Sequence, residues 1–100
     1  MLCWSKEDLM SKELNKILDL IKKKDLNAAK ELCYQVKNLE DNFHFQNTFG
    51  YLLYEFGEIN EAIKKWQITV RMNPEYFYAY SNLGNAFQKI GKFQNAIQNF

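Results

Sequence analysis

The chain has 100 residues, a length typical of one domain. Its hydrophobic residues (47%) and aromatic residues (16%) predict a folded core and argue against disorder. The 13 basic and 12 acidic residues leave a formal net charge of +1, and all but one of the basic residues are lysine. This balance argues against the strongly positive surface of a nucleic-acid-binding protein, including RNA-binding helical-hairpin repeats.

The start of the chain has neither the apolar core of a signal peptide nor a membrane-spanning segment, since acidic residues come early. No later stretch is long and apolar enough to cross a bilayer. Two cysteines, Cys3 and Cys33, lack the spacing of a metal site or a disulfide framework. These features favour a reducing compartment, and we predict a cytoplasmic protein without a membrane partner.

Apolar residues recur at helical spacing almost throughout the chain, and no stretch alternates as a strand does. The first helix shows the pattern in Leu14, Ile17, Leu18 and Ile21. A charged turn at Lys22–Asp25 follows it, and we interpret the lysines there as solvated. In chain order, the predicted helices span 6–22, 26–38, 43–56, 59–72, 76–90 and 93–100.

The last four predicted helices form two similar pairs, because a shift of 34 residues superposes one pair on the other. We predict that Gly50 and Gly84 lie where the second helix of each pair crosses the first, with Ala62 and Ala96 as the opposing small residues. Gly57 and Gly91 follow the last apolar residue of a first helix, which is typical of a C-terminal cap with positive φ. The superposed residues include Phe43 and Phe77, Gly50 and Gly84, Gly57 and Gly91, Ala62 and Ala96, and Trp66 and Phe100.

This pattern resembles the tetratricopeptide repeat, a helix–turn–helix unit of 34 residues with the pattern W-x₂-L-G-x₂-Y, A-x₃-F and P. The resemblance implies an all-α fold, a right-handed superhelix of antiparallel helical hairpins in a single domain over 1–100. Gln46 replaces the expected large aromatic residue, so we expect looser packing there. The units are 6–42 as a degenerate first repeat or N-terminal cap, 43–76 as a complete repeat and 77–100 as a truncated one. The matching residues are Gln46, Phe49, Gly50, Leu53, Ala62, Trp66 and Pro74, then Tyr80, Leu83, Gly84, Phe87, Ala96 and Phe100.

In that family the first helix of each hairpin lines a concave groove that binds peptides. Asn82 matches an asparagine that grips the peptide backbone in members similar to O-linked sugar transferases, although Thr48 would interrupt such a ladder. Tyr78 and Asn82 stand where chaperone-binding members carry cations, which argues against capture of a chaperone's C-terminal carboxylate. The groove residues implied by the resemblance are His44, Asn47, Tyr51, Tyr54, Tyr78, Ser81, Asn82, Asn85, Gln88 and Lys89.

Nothing in the sequence has the pattern of an active site, a metal site or a cofactor site. A nucleophilic pair of His44 with Cys33 would need a third, orienting group, and none is apparent. Glu58 and Glu61 fall at the start of a predicted helix, where acids favour the helix dipole rather than catalysis. We therefore predict a protein-interaction scaffold and no enzyme.

Two alternatives concern what lies around the last repeat. Phe100 corresponds to the core residue Trp66 but has no helix after it, so we expect either a fragment of a longer protein or self-association through the uncapped C-terminal end. In the first case the chain could also be the substrate-recruiting arm of a glycosyl-, sulfo- or methyltransferase whose catalytic domain follows Phe100.

Overall fold

The computed structural model describes residues 2–98, and it describes the side chains between residues 12 and 91. The part of the chain described contains α-helices and no strand, which confirms the all-α class. None of these helices combines the length and apolar character needed to span a membrane. In chain order the helices are α1 (Leu2–Lys22), α2 (Leu26–Gln35), α3 (Phe43–Glu55), α4 (Ile59–Met72) and α5 (Phe77–Gln98).

Side-chain caps stabilise the N-termini of α2 and α3. The Asp25 carboxylate accepts a hydrogen bond from the Ala28 N–H at 3.2 Å, and the Asn42 side chain accepts one from the Phe45 N–H at 3.0 Å. Such a cap stabilises a helix by about 1 kcal/mol relative to alanine. The turn before α2 also needs a residue in the left-handed conformation, and Lys24 adopts this conformation with a φ of 64°.

The end of α3 confirms the predicted glycine cap. Gly57 has a φ of 82°, and its N–H donates to the Tyr54 carbonyl at 3.0 Å. The next N–H, of Glu58, donates to the Leu53 carbonyl at 2.9 Å. These bonds satisfy carbonyls that the helix end would otherwise leave unpaired, and they turn the chain into α4.

The α3–α4 hairpin is the centre of the fold, and Gly50 is the point of closest approach, as predicted. A Cβ at Gly50 would lie 2.6 Å from the indole Nε1 of Trp66, a side chain that is only 2% exposed. The same Nε1 donates to the Asn47 carbonyl at 3.1 Å. Only a residue without a side chain therefore allows the indole to approach α3 this closely.

The first hairpin, α1 with α2, packs on this centre through α2. Lys30 of α2 donates to the Glu58 carboxylate at 2.7 Å and lies 4.3 Å above the Phe56 ring, so it contacts the turn between α3 and α4. The hydrogen bond to Glu58 is the main reason that the pKa of Lys30 is raised. Gln46, which replaces the expected aromatic residue, is buried and donates to the Glu40 carbonyl at 3.0 Å, while its buried Oε1 has no hydrogen-bond partner among the described residues.

The fifth and sixth predicted helices form one continuous helix, so the predicted break at Gly91 is wrong. Gly91 is helical and its φ is not positive, in contrast to its counterpart Gly57. The sequence after each glycine supplies a physical reason. Glu58 places an acid at the start of α4, where it favours the helix dipole, whereas the equivalent Lys92 would place a cation there.

The prediction for Gly84 is also wrong, and it fails for the same reason. A Cβ at Gly84 would have no neighbour within 4 Å, and the residue is exposed. Since α5 does not turn back, no described helix covers Gly84 as α4 covers Gly50. Ala79 and Ala86 are instead the fully buried small residues of α5, which packs against α4. The side chains of Ala96 and Phe100, also predicted to pack, lie outside the described residues.

Candidate functional site

The first helix of each hairpin and α5 surround a cavity of about 580 Å³ on one face of the molecule. This is within the size range of pockets that bind ligands, 300–1,000 Å³. We call this cavity the groove. Its lining comes from α1, α3, α5 and the turn before α5, and consists of Leu14, Leu18, Ile21, His44, Asn47, Thr48, Tyr51, Tyr76, Tyr78 and Asn82.

The α1 side of the groove is apolar. Leu14 is buried, Ile21 is half-buried and Leu18 is 41% exposed, while Ile17 on the next face of α1 is fully buried in the core. An exposed leucine beside a cavity offers surface that a ligand can remove from water. Sequence reasoning missed these residues as groove residues. The sequence did contain a sign of them. The apolar face of α1 includes both Ile17 and Leu18, so it is wider than packing against a single helix requires.

A pair of asparagines joins α3 and α5 across the opposite side of the groove. The Asn82 Nδ2 donates to the Asn47 Oδ1 at 3.0 Å. The backbone carbonyl of Asn47 is at the same time held by the Trp66 indole. The pair is thus fixed to the core. In the hydrogen bonds described for these residues, the Asn82 Oδ1 remains an acceptor and the Asn47 Nδ2 a donor, both available to a ligand.

An aromatic cluster lines the groove where α3 begins and α4 leads into α5. The His44 Nδ1 lies 3.3 Å from the Tyr76 hydroxyl, and the rings of Phe43, Tyr76 and Tyr78 follow one another at centroid distances of 5.1 and 5.5 Å. Burial is the first cause of the raised pKa of Tyr76, with Tyr78 the second. Tyr76 was not predicted as a site residue. The sequence analysis placed it at the start of a helix, whereas in the structure it precedes α5.

The Thr48 hydroxyl is already used within its helix. It donates to the His44 carbonyl at 2.8 Å, so Thr48 offers little free hydrogen-bonding capacity to a ligand.

A smaller cavity of about 210 Å³ continues between α3 and α5. Tyr54 and Asn85 line it, and the Lys89 ammonium lies 4.7 Å above the Tyr54 ring. Glu55 contributes a carboxylate to this second lining, whereas the residues described around the groove include no lysine, arginine or carboxylate.

The structure brings most of the predicted site residues together. Five of them line the groove, namely His44, Asn47, Tyr51, Tyr78 and Asn82. Tyr54, Asn85 and Lys89 lie at the smaller cavity. Ser81 and Gln88 are exposed and line neither cavity, since they lie on another face of α5.

The remaining chemistry of the described residues is sparse. Burial raises the pKa of the Cys33 thiol to about 12, so the thiol stays protonated at neutral pH and is a poor nucleophile. His44 contacts Tyr76 rather than an acid that could orient it as a base. Among the side chains described, no cluster of three or more His, Cys, Asp or Glu residues has the arrangement of a metal site.

Comparison with known proteins gives one family match. The family model described as TPR repeat matches residues 50–91, which run from the middle of α3 through α4 to Gly91 in α5. No curated protein and no solved structure matches the chain significantly.

Proposed function

We propose that the chain binds a peptide segment of a partner protein in its groove. The premise is that residues 50–91 match the tetratricopeptide repeat family, whose repeats generally mediate protein–protein interaction. The groove lies on the first helices of the hairpins, the face on which the family resemblance places peptide binding. Binding in this form needs no catalytic group. The observation that carries the proposal is the asparagine pair fixed beside an apolar cavity.

The asparagine pair favours a segment in extended conformation. Asn82 Oδ1 can accept from a peptide N–H, and Asn47 Nδ2 can donate to a peptide carbonyl. An extended peptide has free backbone groups of both kinds, whereas an α-helix uses its own within the helix. A helical partner would therefore gain little from this pair.

The apolar side of the groove favours an aliphatic or aromatic anchor residue in the peptide. Leu18 and Ile21 offer surface to such a side chain, and Tyr51 and Tyr78 flank it from α3 and α5. Burial of apolar surface contributes roughly 25 cal/mol per Å². Because the described lining of the groove contains no cation, a terminal carboxylate would lose water there without gaining a charged partner among those residues.

Selection from a random dodecapeptide library displayed on phage tests this function. We expect the enriched peptides to share one Leu, Ile, Met or Phe at a fixed position, with no preference for an acidic C-terminus. Calorimetry with the best peptide should show at least a tenfold loss of affinity for Leu18→Glu, since the substitution places a charge in the apolar part of the groove. Asn82→Ala should lose roughly 0.5–1.5 kcal/mol, the usual net value of a hydrogen bond.

The matched control is Ser81→Ala, which also removes a polar group from α5 but lies outside the groove. It should bind as tightly as the wild-type chain. N-methylation of single backbone amides in the peptide should reduce affinity at one or two positions if the segment binds extended. Failure to enrich any peptide, or equal losses for Ser81→Ala and Asn82→Ala, would refute the groove assignment.

A further inference from the structure

A second surface of α5 is exposed and differs from the groove. It consists of Phe77, Tyr80, Gly84, Phe87 and Gly91, and we call it the α5 stripe. These residues recur at spacings of three and four along one side of the helix, which defines a single face. The exposed fractions of Phe77, Tyr80 and Phe87 are 79%, 47% and 52%, large values for aromatic side chains.

The α5 stripe is separate from both other faces of the helix. Tyr78 and Asn82 face the groove, while Ala79 and Ala86 are buried where α5 packs on α4. A partner on the stripe would therefore leave the groove open.

In the second hairpin, a helix packs on the equivalent face. The equivalent face of α3 contains Gly50, and α4 covers it with the indole of Trp66. On α5, Gly84 is exposed and Gly91 is half-buried, and a Cβ added at either would meet no described atom within 4 Å, so both glycines leave room for a neighbour. The stripe thus resembles a surface on which a helix packs, but no helix of the described residues covers it.

The order of large and small residues makes the α5 stripe complementary to itself. Phe77 precedes Gly84 by seven residues and Gly91 follows it by seven. If two copies of α5 pair antiparallel about Gly84, each Phe77 lies on Gly91 of the second copy, and the two Gly84 residues allow the backbones to approach. The stripe itself carries no charge that would oppose this pairing. We propose that a second copy of this chain docks on the α5 stripe in this two-fold arrangement.

The available area predicts a transient rather than a permanent dimer. Aromatic side chains bury about 150–250 Å² each when fully covered. At the observed exposures, three aromatics give roughly 350 Å² per copy, or about 700 Å² for the pair. Stable interfaces bury about 1,200–2,000 Å², so the dimer should dissociate on dilution.

Sedimentation velocity over a range of protein concentrations tests the dimer. The wild-type chain should shift from monomer to dimer as its concentration rises. Gly84→Lys should remain monomeric at concentrations at least tenfold higher, because two lysines would meet at the crossing point. The substitution has no neighbour in the single chain, so circular dichroism should show an unchanged fold. Gln67→Lys adds the same charge at an exposed position of α4 and should dimerise as the wild type does.

Disulfide trapping tests the antiparallel geometry, and it keeps every residue of the stripe. In a Cys3→Ser background, Ser81→Cys and Gln88→Cys chains are mixed and oxidised; Cys33 is buried and does not compete. In antiparallel pairing about Gly84, residue 81 of one copy and residue 88 of the other are separated by about 1.5 Å along the helix axis. The residues 81 of the two copies are separated by about 9 Å along the same axis. We expect mixed disulfide dimers to exceed both homodimers.

Three outcomes would overturn the proposal. The first is a wild-type chain that stays monomeric at every concentration, including the case in which residues 92–98 fold back onto their own stripe. The second is a Gly84→Lys variant that dimerises like the wild type. The third is trapping in which homodimers form as readily as mixed dimers, which would place the second copy elsewhere or in another orientation.

Discussion

At the scale of single residues, the same amino acid has opposite effects at equivalent positions of the two repeats. Gly50 is buried, and a Cβ there would lie within 3 Å of three atoms of the Trp66 indole. Gly84 is the same residue one repeat later, but a Cβ there would meet nothing. The difference comes entirely from whether a following helix lies on top. Glycine is therefore required at the first position and costs helix stability at the second.

Alanine substitution of these two glycines should change stability in opposite directions. Gly50→Ala should lower the free energy of unfolding by about 1–3 kcal/mol, because overpacking forces the Trp66 indole and its hydrogen bond to Asn47 to move. Gly84→Ala should raise it by up to about 1 kcal/mol, the difference in helix propensity. Urea denaturation of dilute protein measures both, and a destabilised Gly84→Ala variant would show that a helix does cover this position.

At the scale of elements, α3 ends at a glycine and α5 continues through one. Both glycines follow an apolar residue, but an acid, Glu58, comes directly after Gly57 and a cation, Lys92, directly after Gly91. An acid at the start of α4 favours the helix dipole, and Lys30 also binds that acid from α2. The cap at Gly57 thus depends on contacts with other helices, which a repeat pattern does not contain.

The termination signals can be tested with a second pair of alanine substitutions. Gly57→Ala should destabilise the fold by about 1–2 kcal/mol, because its φ of 82° is unfavourable for a residue with a side chain. Gly91→Ala should instead stabilise it by up to about 1 kcal/mol, since alanine is the better residue inside a continuous helix. Thermal unfolding followed by circular dichroism separates the two, and a lower melting temperature for Gly91→Ala would indicate a turn at that position.

At the scale of the whole molecule, the repeat register predicted the part of the fold that lies within the one complete repeat. The α3–α4 hairpin and the close approach at Gly50 followed from the spacing of the repeat, although the nearest side chain there is Trp66 and not the predicted Ala62. The groove positions of α3 came from the family resemblance and not from spacing. The course of α5 after Gly91 was not predicted, because the repeat register superposes Gly91 on Gly57 and takes no account of the change from Glu58 to Lys92. Leu18 was not predicted as a groove residue, because the first repeat lacks the glycines that set the register. The exposure of Leu18 also depends on how α1 packs, which the sequence pattern does not show.

The two proposed binding surfaces lie on different faces of α5, which allows them to act independently. The groove joins α1, α3 and α5, whereas the stripe belongs to α5 alone. A chain that dimerises through the stripe would present two grooves. Partners with two copies of the peptide segment would then bind more tightly than partners with one, through the increase in effective concentration.

The most direct test of peptide binding is an NMR titration of the isotope-labelled chain with the peptide selected from the library. The side-chain amides of Asn47 and Asn82 and the methyl groups of Leu18 should show the largest shift changes, while Gln67 on α4 should not change. Largest changes on α2 and α4, with the asparagine amides and Leu18 unaffected, would contradict the account.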